Sequence, residues 1–495
     1  MEKIKKILVA NRAEIATRVI RTASKMGIST VAIYAEDDKN LPYVSFADEA
    51  VCLGSGSVTE TYLDIDKIIN ICKTYHVDAI HPGYGFLSEN ELFAKRVSQE
   101  KLIFIGPSPE SIKSMGDKVE SKKLALEYSV PVVPGYHEQD QSEETLLKEA
   151  KKIGFPMLIK ASAGGGGKGM RICHKEEDFL NLLSMAKSEA LKFFKNDKVL
   201  LEKYVTSPRH IEVQVFGDAE GGARHFFERE CSIQRRYQKI VEETPSTALS
   251  DETRRDICET ALRLVRGLKY SGAGTVEFIL DENSNFYFLE MNTRLQVEHP
   301  ITEMITGRDL VDLQIKIAQG EGFNFSQEEV RSFGHAIECR IYAESPEDNF
   351  LPQSGVIGFL GRSKDSTIRL DTGYEQGCEV GINYDPMIAK IITFDESREA
   401  NIRKMREALR NHPFLGMKTN RDFLIKVLEK DSFKSGDYDT HFIQENEWSV
   451  NKIDDEEIAA LLATYHFARE KRSIDTNNVK GFQDVWASSF GWLGL

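Results

Sequence analysis

Two rhythms of apolar residues open the chain. Ile7–Ala10 is a short continuous apolar run, the pattern of a strand covered on both faces. Ala13–Met26 then sets Ile15, Val19, Ile20 and Ala23 at helical spacing, Gly27 stops that helix, and Thr30–Ala35 returns to a strand pattern. A β-α-β opening of this kind predicts a Rossmann-like α/β domain. Its first turn, Asn11-Arg12-Ala13-Glu14, lacks the glycines that admit a pyrophosphate, so no dinucleotide site is expected there. A further strand ends at Ala79–His81, followed by the loop Pro82-Gly83-Tyr84-Gly85-Phe86. Ligand loops lie at such strand ends, and a plain turn fits the same residues equally well.

Farther along, Met157–Ala161 and Met170–His174 read as two strands joined by the loop Gly164–Gly169, with a charged helix beginning near Lys175. Residues 131–203 therefore form a small unit of their own. Residues 204–330 add strands and a helix at 251–267, and a further domain is expected over about 333–445. Beyond Asn451 the tail is acidic, then helical, then marked by Trp486 and Trp492. There are no internal repeats.

Length and composition narrow the class. A chain of 495 residues exceeds one core, so about three domains are expected. A net charge of −14 argues against nucleic acid as a partner. No apolar run reaches the ~20 residues of a membrane span, and the basic start (Lys3, Lys5, Lys6) leads into too few apolar residues for a signal peptide. Seven cysteines without a Cys-x-x-Cys fit a reducing, cytoplasmic setting. Cys231 reads as a reduced, half-buried thiol.

The chemistry concentrates in residues 290–303, Glu-Met-Asn-Thr-Arg-Leu-Gln-Val-Glu-His-Pro-Ile-Thr-Glu. Glu290 and Asn292 alternate on a strand and so share a face, with Arg294 and Glu298 following where the strand leaves the sheet. Thr275–Leu280 and Phe286–Met291 flank the polar turn 281–285, a hairpin that brings Glu277 near Glu290. Two buried carboxylates facing each other repel unless a divalent cation joins them, and Mg²⁺ takes one or two carboxylates together with substrate phosphates. The run Gly164-Gly165-Gly166-Gly167-Lys168-Gly169 satisfies G-x-G-x-x-G, yet it joins two strands rather than opening a helix, and Lys168 is followed by glycine rather than Ser or Thr. It is neither a Rossmann turn nor a Walker A loop. A glycine hairpin can instead fold over a triphosphate as a lid.

These motifs resemble those of biotin carboxylase, the ATP-grasp component of biotin-dependent carboxylases, over roughly the first 440 residues. The resemblance implies an ATP-grasp fold with an N-terminal Rossmann-like domain (1–115), an ATP-grasp domain (116–330) with a mobile lid subdomain (131–203), and a C-terminal α+β domain (333–445). An extension (446–495) would dock a partner subunit. It implies MgATP, with Mn²⁺ able to replace Mg²⁺, held by Glu277, Glu290 and Asn292. Lys118, Lys160, the glycine loop 164–169, Glu202-Lys203-Tyr204-Val205 and His210 match nucleotide contacts. Alone, His210 reads as a packed or surface residue. Lys239, Arg294, Gln296 and Val297 match a bicarbonate site, Glu298 its base, and Arg340 and Tyr84 a biotin site. Position 237 is Tyr where the family commonly has His, which leaves its role open.

No Ala-Met-Lys-Met stretch occurs in the sequence, and Met417-Lys418-Thr419 is the nearest decoy. The expectation is therefore that biotin is a substrate carried by a separate carrier protein, with a carboxyltransferase subunit as further partner and a homodimer as the assembly. Tyr384–Lys390 and Leu295 resemble acyl-CoA carboxylase α-subunits more than the acetyl-CoA-dedicated bacterial form. A pyruvate or other 2-oxo acid carboxylase, a ligase resembling carbamoyl phosphate synthetase, and a non-catalytic ATP-binding scaffold are the alternatives.

Overall fold

A computed structural model describes residues 3–448, apart from 137, 162–169, 195, 219, 237 and 364. The glycine run with Lys168, Tyr237 and the tail from Asn451 lie outside the described residues.

The opening of the chain forms β1 (Lys6–Val9), α1 (Ala13–Lys25) and β2 (Ser29–Tyr34), each within a residue or so of the expected bounds. With β3 (Glu49–Cys52), β4 (Ala79–His81) and β5 (Ile103–Phe104) they build a parallel sheet of order β3-β2-β1-β4-β5. Chain direction across the sheet reverses at β1, and loops leaving β1 and β4 meet there, the usual crevice of such folds. Asn11 pins the two together, its Nδ2 donating to the carbonyls of Pro82 and Tyr84, both at 2.8 Å.

The second sheet is small and antiparallel: β6 (Gly135–Tyr136), β7 (Met157–Ala161), β8 (Met170–Cys173) and β9 (Val199–Lys203), in the order β6-β9-β7-β8. The charged helix that follows β8 begins at Phe179, later than expected near Lys175, because Glu176–Asp178 form a separate 3₁₀ turn. Met157, Ile159 and Leu201 pack with Phe179 and Leu183 beneath that helix.

The largest sheet has eight strands. It contains β10 (Arg209–Gly217), β11 (Ala223–Arg235), β12 (Gln238–Thr244), β13 (Gly272–Leu280), β14 (Phe286–Asn292) and β15 (His335–Tyr342), then the strands Met387–Asp395 and Ile368–Thr372. The spatial order is β14-β13-β10-β11-β12-β15, closed by Met387–Asp395 and then Ile368–Thr372. Because β12 pairs with β15 through Val241↔Cys339 and Glu242↔Glu338, one sheet runs on from residues 204–330 into residues 333–445. The helix Asp251–Gly267 covers one face, with Ile257, Ala261, Leu264 and Val265 packed against Ile211, Val213 and Val215. Alternation along β10 therefore sends His210, Glu212 and Gln214 to the other face. Among the described residues no helix is long and apolar enough to cross a membrane.

One contact locks the first domain to the last. Ala13, the first residue of α1, has a φ of +50°, a conformation costing a non-glycine residue about 1–3 kcal/mol. Gly373 lies so close that a Cβ there would sit 2.2 Å from the Ala13 carbonyl carbon and 2.3 Å from the Glu14 nitrogen. Gly373→Ala is accordingly expected to cost about 1–3 kcal/mol as an overpacked contact. A lowered midpoint in urea unfolding is the readout, and an unchanged midpoint would show that this backbone approach carries no constraint.

Candidate active site

Three acids line up across neighbouring strands: Glu212 on β10 is opposite Glu277 on β13, and Glu277 is opposite Glu290 on β14. The facing of Glu277 and Glu290 inferred from the hairpin is thus what the register shows. A β-bulge makes it workable. The ladder steps from Glu277↔Glu290 to Phe278↔Phe288, so Leu289 is the extra residue on β14. Phe288 stays in the core while Leu289, 37% exposed, and Glu290 reach a cavity of about 590 Å³.

A second bulge places Lys239. The ladder moves one residue along β11, from Ile233 to Gln234, but two along β12, from Val241 to Lys239, leaving Ile240 as the insertion. The turn it imposes aims Lys239 at three carboxylates: Glu212 at 2.5 Å, Glu298 at 2.8 Å and Glu277 at 2.9 Å. Burial works against the ammonium, and the three acids more than offset it, holding Lys239 charged well above its ordinary range. Arg229, fully buried, grips the far side of Glu212 at 2.5 Å and donates to Gln214 and Thr302 at 2.8 and 2.9 Å.

Glu298 caps the helix His299–Thr306 from a fully buried position. Burial opposes its ionisation, but Lys239, Arg340 and Arg229 overcome this and hold it well below the usual carboxylate range. Cys231 lies 3.9 Å from it. The thiol is fully buried rather than half-buried, and burial first, then the charge of Glu212, pushes it well up, so it is an inert thiol.

The two facing acids are shifted in opposite directions. Burial also resists ionisation of Glu277, yet Lys239 and His210 keep it well below its normal value. His210 Nε2 meets Glu277 at 2.8 Å, while Gln234 Nε2 lies 2.6 Å from His210 Nδ1, so the ring is held from both sides. Among the described residues no hydrogen-bond donor reaches Glu290, and burial, reinforced by the charge on Glu277, raises it. A partly buried carboxyl without a partner, facing an ionised one and sharing its own strand with Asn292, whose Oδ1 accepts from Arg294, offers oxygens of the kind suited to a hard divalent cation. Two other groups of potential ligands, His210/Glu212/Glu277 and Glu212/Cys231/Glu298, also converge within 4.8 Å. Lys239 sits among their carboxylates, so they form an ammonium clasp instead.

The loop after β14 is tied from two sides. Glu89, just past the Pro82–Phe86 loop, accepts from Thr293 N at 2.9 Å and Arg294 Nε at 2.8 Å. Arg294 also donates to Gln296 Oε1 at 2.8 Å and Asn292 Oδ1 at 3.1 Å, and both amides donate on to Glu277. Lys390, fully buried, donates to the Val297 carbonyl at 2.8 Å and pairs with Glu14 at 3.2 Å, and the other Glu14 oxygen accepts from Tyr84 OH. Arg340 spans Glu298 at 2.8 Å and Glu242 at 2.6 Å. Tyr84, His210, Lys239, Glu277, Glu290, Asn292, Arg294, Gln296, Val297 and Arg340 thus share one cavity, with Glu298 beneath its floor.

The remaining expected residues are not among those lining this cavity. Glu202, at the end of β9, is clamped between Lys122 and Lys160. The backbone N–H groups of Lys203 and Tyr204 are committed to the carbonyls of Pro134 and Pro156 at 2.8 and 3.1 Å. Val205 is half-buried. Lys118 is exposed at the start of the helix Lys118–Glu127, close enough for its charge to oppose the rise of Glu290.

Sequence reasoning missed Glu14, Glu89, Glu212, Arg229, Gln234 and Lys390. For most of these no local signal exists. The run Glu228-Arg229-Glu230 has the look of a solvated strand, yet all three are buried. Lys390 did stand out within Tyr384–Lys390, but as part of a motif rather than as a tether.

Comparison with known proteins accounts for this arrangement. Family models match in sequence: biotin carboxylase, N-terminal domain, over residues 3–112; carbamoyl-phosphate synthase L chain, ATP binding domain, over 117–325; and biotin carboxylase C-terminal domain over 338–445. The biotin carboxylase domain of Hydrogenobacter thermophilus 2-oxoglutarate carboxylase, solved as a dimer with MgADP, ADP and bicarbonate, is 43% identical. It superposes with a TM-score of 0.82, over 91% of this chain and 100% of that one. The chain belongs to the biotin carboxylase family. Another solved biotin carboxylase, from Campylobacter jejuni in complex with β-γ-ATP, has 42% identity and a TM-score of 0.83, covering 90% of this chain and 99% of that one. The fold of this chain is accordingly an ATP-grasp domain set between biotin carboxylase N- and C-terminal domains. Methylcrotonoyl-CoA carboxylase subunit alpha, mitochondrial, of Mus musculus is 51% identical over 444 residues, 90% of this chain. Propionyl-CoA carboxylase alpha chain, mitochondrial, of Homo sapiens is 48% identical over 445 residues, 89% of this chain. The chain spans only 62% and 61% of the length of those two relatives.

Glu202 supplies a pH test. Its burial favours the neutral form, but Lys160 and Lys122 bring the carboxyl down to about 2. A depressed carboxylate stabilises the fold above its unfolded value and loses that contribution as pH falls through the folded one. The shift corresponds to roughly 3 kcal/mol at neutral pH. Between about pH 5 and pH 3 the wild type should lose unfolding free energy faster than Glu202→Gln. Parallel slopes in denaturant titrations would remove the clamp from the account.

Proposed function

We propose that this chain carries out the first half-reaction of an acyl-CoA carboxylase: MgATP-dependent carboxylation of carrier-bound biotin by bicarbonate through carboxyphosphate, an ATP-dependent carbon–nitrogen ligation. The observation that carries the reading is the clasp of Lys239 by three acids in the same cavity as Arg294, Arg340 and Glu290, the last without a hydrogen-bond donor among the described residues. The neighbouring structures described with MgADP and bicarbonate and with β-γ-ATP support it.

Glu277, Glu290 and Asn292 would hold Mg²⁺ or Mn²⁺, which when bound neutralises the charge of the phosphates. Lys118 and Lys160 would serve the triphosphate with His210 and the glycine loop 164–169, and Lys160 would exchange Glu202 for a phosphate oxygen. The segment 202–205 would border the adenine. Lys239, Arg294, Gln296 and Val297 would grip bicarbonate, a planar anion that suits a guanidinium. Glu298 is its base. In the present arrangement Lys239 and Arg340 hold that carboxylate too firmly ionised to take a proton readily. A bicarbonate sharing Lys239 would loosen the hold and raise its proton affinity toward what a base needs. The bicarbonate oxygen then attacks the γ-phosphorus, the bond to ADP breaks, and the bicarbonate proton rests on Glu298. Carboxyphosphate divides into CO₂ and phosphate, the phosphate takes the ureido proton of biotin, and the nitrogen anion attacks CO₂. Arg340 would stabilise that anion beside Tyr84.

The curated relatives named above support an acyl-CoA rather than a 2-oxo acid as final acceptor, since both exceed the 40% to 44% identity of the 2-oxoglutarate and pyruvate carboxylase neighbours. A biotin carboxyl carrier protein, a carboxyltransferase subunit and a second copy of this chain complete the proposed assembly. The cytoplasmic setting belongs to the same proposal, supported by seven unpaired cysteines of which six are buried.

Release of ADP should require both bicarbonate and free biotin for full rate, and nucleotide binding without turnover would favour the scaffold. Lys239→Gln or Arg294→Ala should each lower biotin-dependent turnover by about a hundredfold or more while MgATP binding largely survives. An equal loss of nucleotide affinity in both variants would count against their anion role.

A further inference from the structure

The mechanism leaves two buried acids unused. Glu242 on β12 and Glu338 on β15 are directly opposite in the ladder, and both are fully buried. Opposed residues of an antiparallel pair share a face, with Cβ atoms about 4.5–5.5 Å apart. Glu338 and Arg340 alternate on β15, so the guanidinium that borders the cavity stands on the same face.

None of the four carboxyl oxygens has a hydrogen-bond partner. Arg340 Nε comes within 2.6 Å of Glu242 Oε1, an ion pair without the alignment of a hydrogen bond. The nearby cations are already committed. Arg340 also serves Glu298, Lys239 serves its three acids, and Lys390, opposite Arg340 in the ladder, serves the Val297 carbonyl and Glu14. Glu298 and Glu212 add negative charge to the neighbourhood, and the buried thiols of Cys231 and, on the opposite face of β15, Cys339 bring no compensation. Two full negative charges here would have only cations shared with other acids to offset them, each paying the cost of burial without a hydrogen-bond donor.

We propose that Glu242 and Glu338 share a single proton and together form a positioning unit that sets the charge seen by Arg340. The proton rests chiefly on Glu338, leaving Glu242 ionised against the guanidinium. Burial pushes both acids upward. For Glu242, Arg340 restrains the rise to about 7, whereas for Glu338 the restraint from Lys390 and Arg340 leaves it well above the carboxylate range. With one proton in the pair, Arg340 is held by Glu242 at Nε and by Glu298 at Nη2, which fixes the plane it presents to the cavity. Loss of the proton would add a third acid and draw Arg340 back from the cavity.

The kinetic consequence rests on the proposed role of Arg340, whereas the shared proton does not. Infrared difference spectra of the full chain at neutral pH, without substrates, test the proton itself. A protonated-carboxyl band is expected in the wild type, and Glu242→Gln and Glu338→Gln should each lose that same band. Its absence from the wild-type difference spectra overturns the proposal. Should a variant fail to fold, ¹³C NMR of wild-type protein labelled at the glutamate carboxyl reads the same quantity. A glutamate signal still protonated at neutral pH supports the pair, and none overturns it. For the positioning role, kcat/KM for biotin should fall as pH rises through deprotonation of the pair. Glu338→Gln should flatten that fall, and Glu338→Asp should restore it at a displaced pH. An alkaline limb unchanged in Glu338→Gln overturns the positioning role. A wild type that shows the band but never turns over biotin would count against the proposed function and leave the shared proton standing.

Discussion

One buried ammonium organises the polar face of the large sheet. Lys239 joins acids from three separate stretches of chain: Glu212 from β10, Glu277 from β13 and Glu298 from the helix that follows β14. Burying that many charges is costly unless the geometry satisfies them, and removing one partner strands the rest. Arg229 and Arg340 extend the network sideways, so the acids are fixed in orientation before any ligand arrives. Glu290 remains outside this compensation. The face therefore combines a preorganised charged lattice with one unmet acid at the edge of a cavity.

Access to that lattice depends on two insertions in the strand ladder. Without the bulge at Ile240, strict alternation would set Lys239 and Glu242 on opposite faces. Without the one at Leu289, Phe288 and Glu290 would share a face, one of them misplaced. Bulges cost ladder hydrogen bonds, so their presence on either side of the cavity marks where the sheet gives up regularity for aim.

Much of this was legible from local pattern. The β-α-β opening follows from apolar spacing and one stop glycine, and the β13–β14 hairpin follows from two apolar runs around a polar turn. Opposition of Glu277 and Glu290 needs only that hairpin. The rest was hidden because it is long-range. Nothing in the sequence near Glu14 announces Lys390, 376 positions away, nor does Glu89 announce Arg294. Bulges are equally silent, since one extra residue in a strand leaves no mark on composition. Glu228-Arg229-Glu230 misleads outright, because charge on a strand ordinarily means water. The interdigitation of the last two segments in one sheet was also invisible, as strand partners at that separation have no signature.

The β12–β15 pairing carries a consequence for anyone dissecting the molecule. A fragment ended before His335 would keep β12 but strip its neighbour, leaving a run of unpaired amides and carbonyls along an open margin. Such margins recruit strands from other molecules, and this one would also expose Glu242 and Glu243 to water they never meet in the intact sheet. Self-association of the shortened protein would then report a torn seam rather than a property of the nucleotide fold.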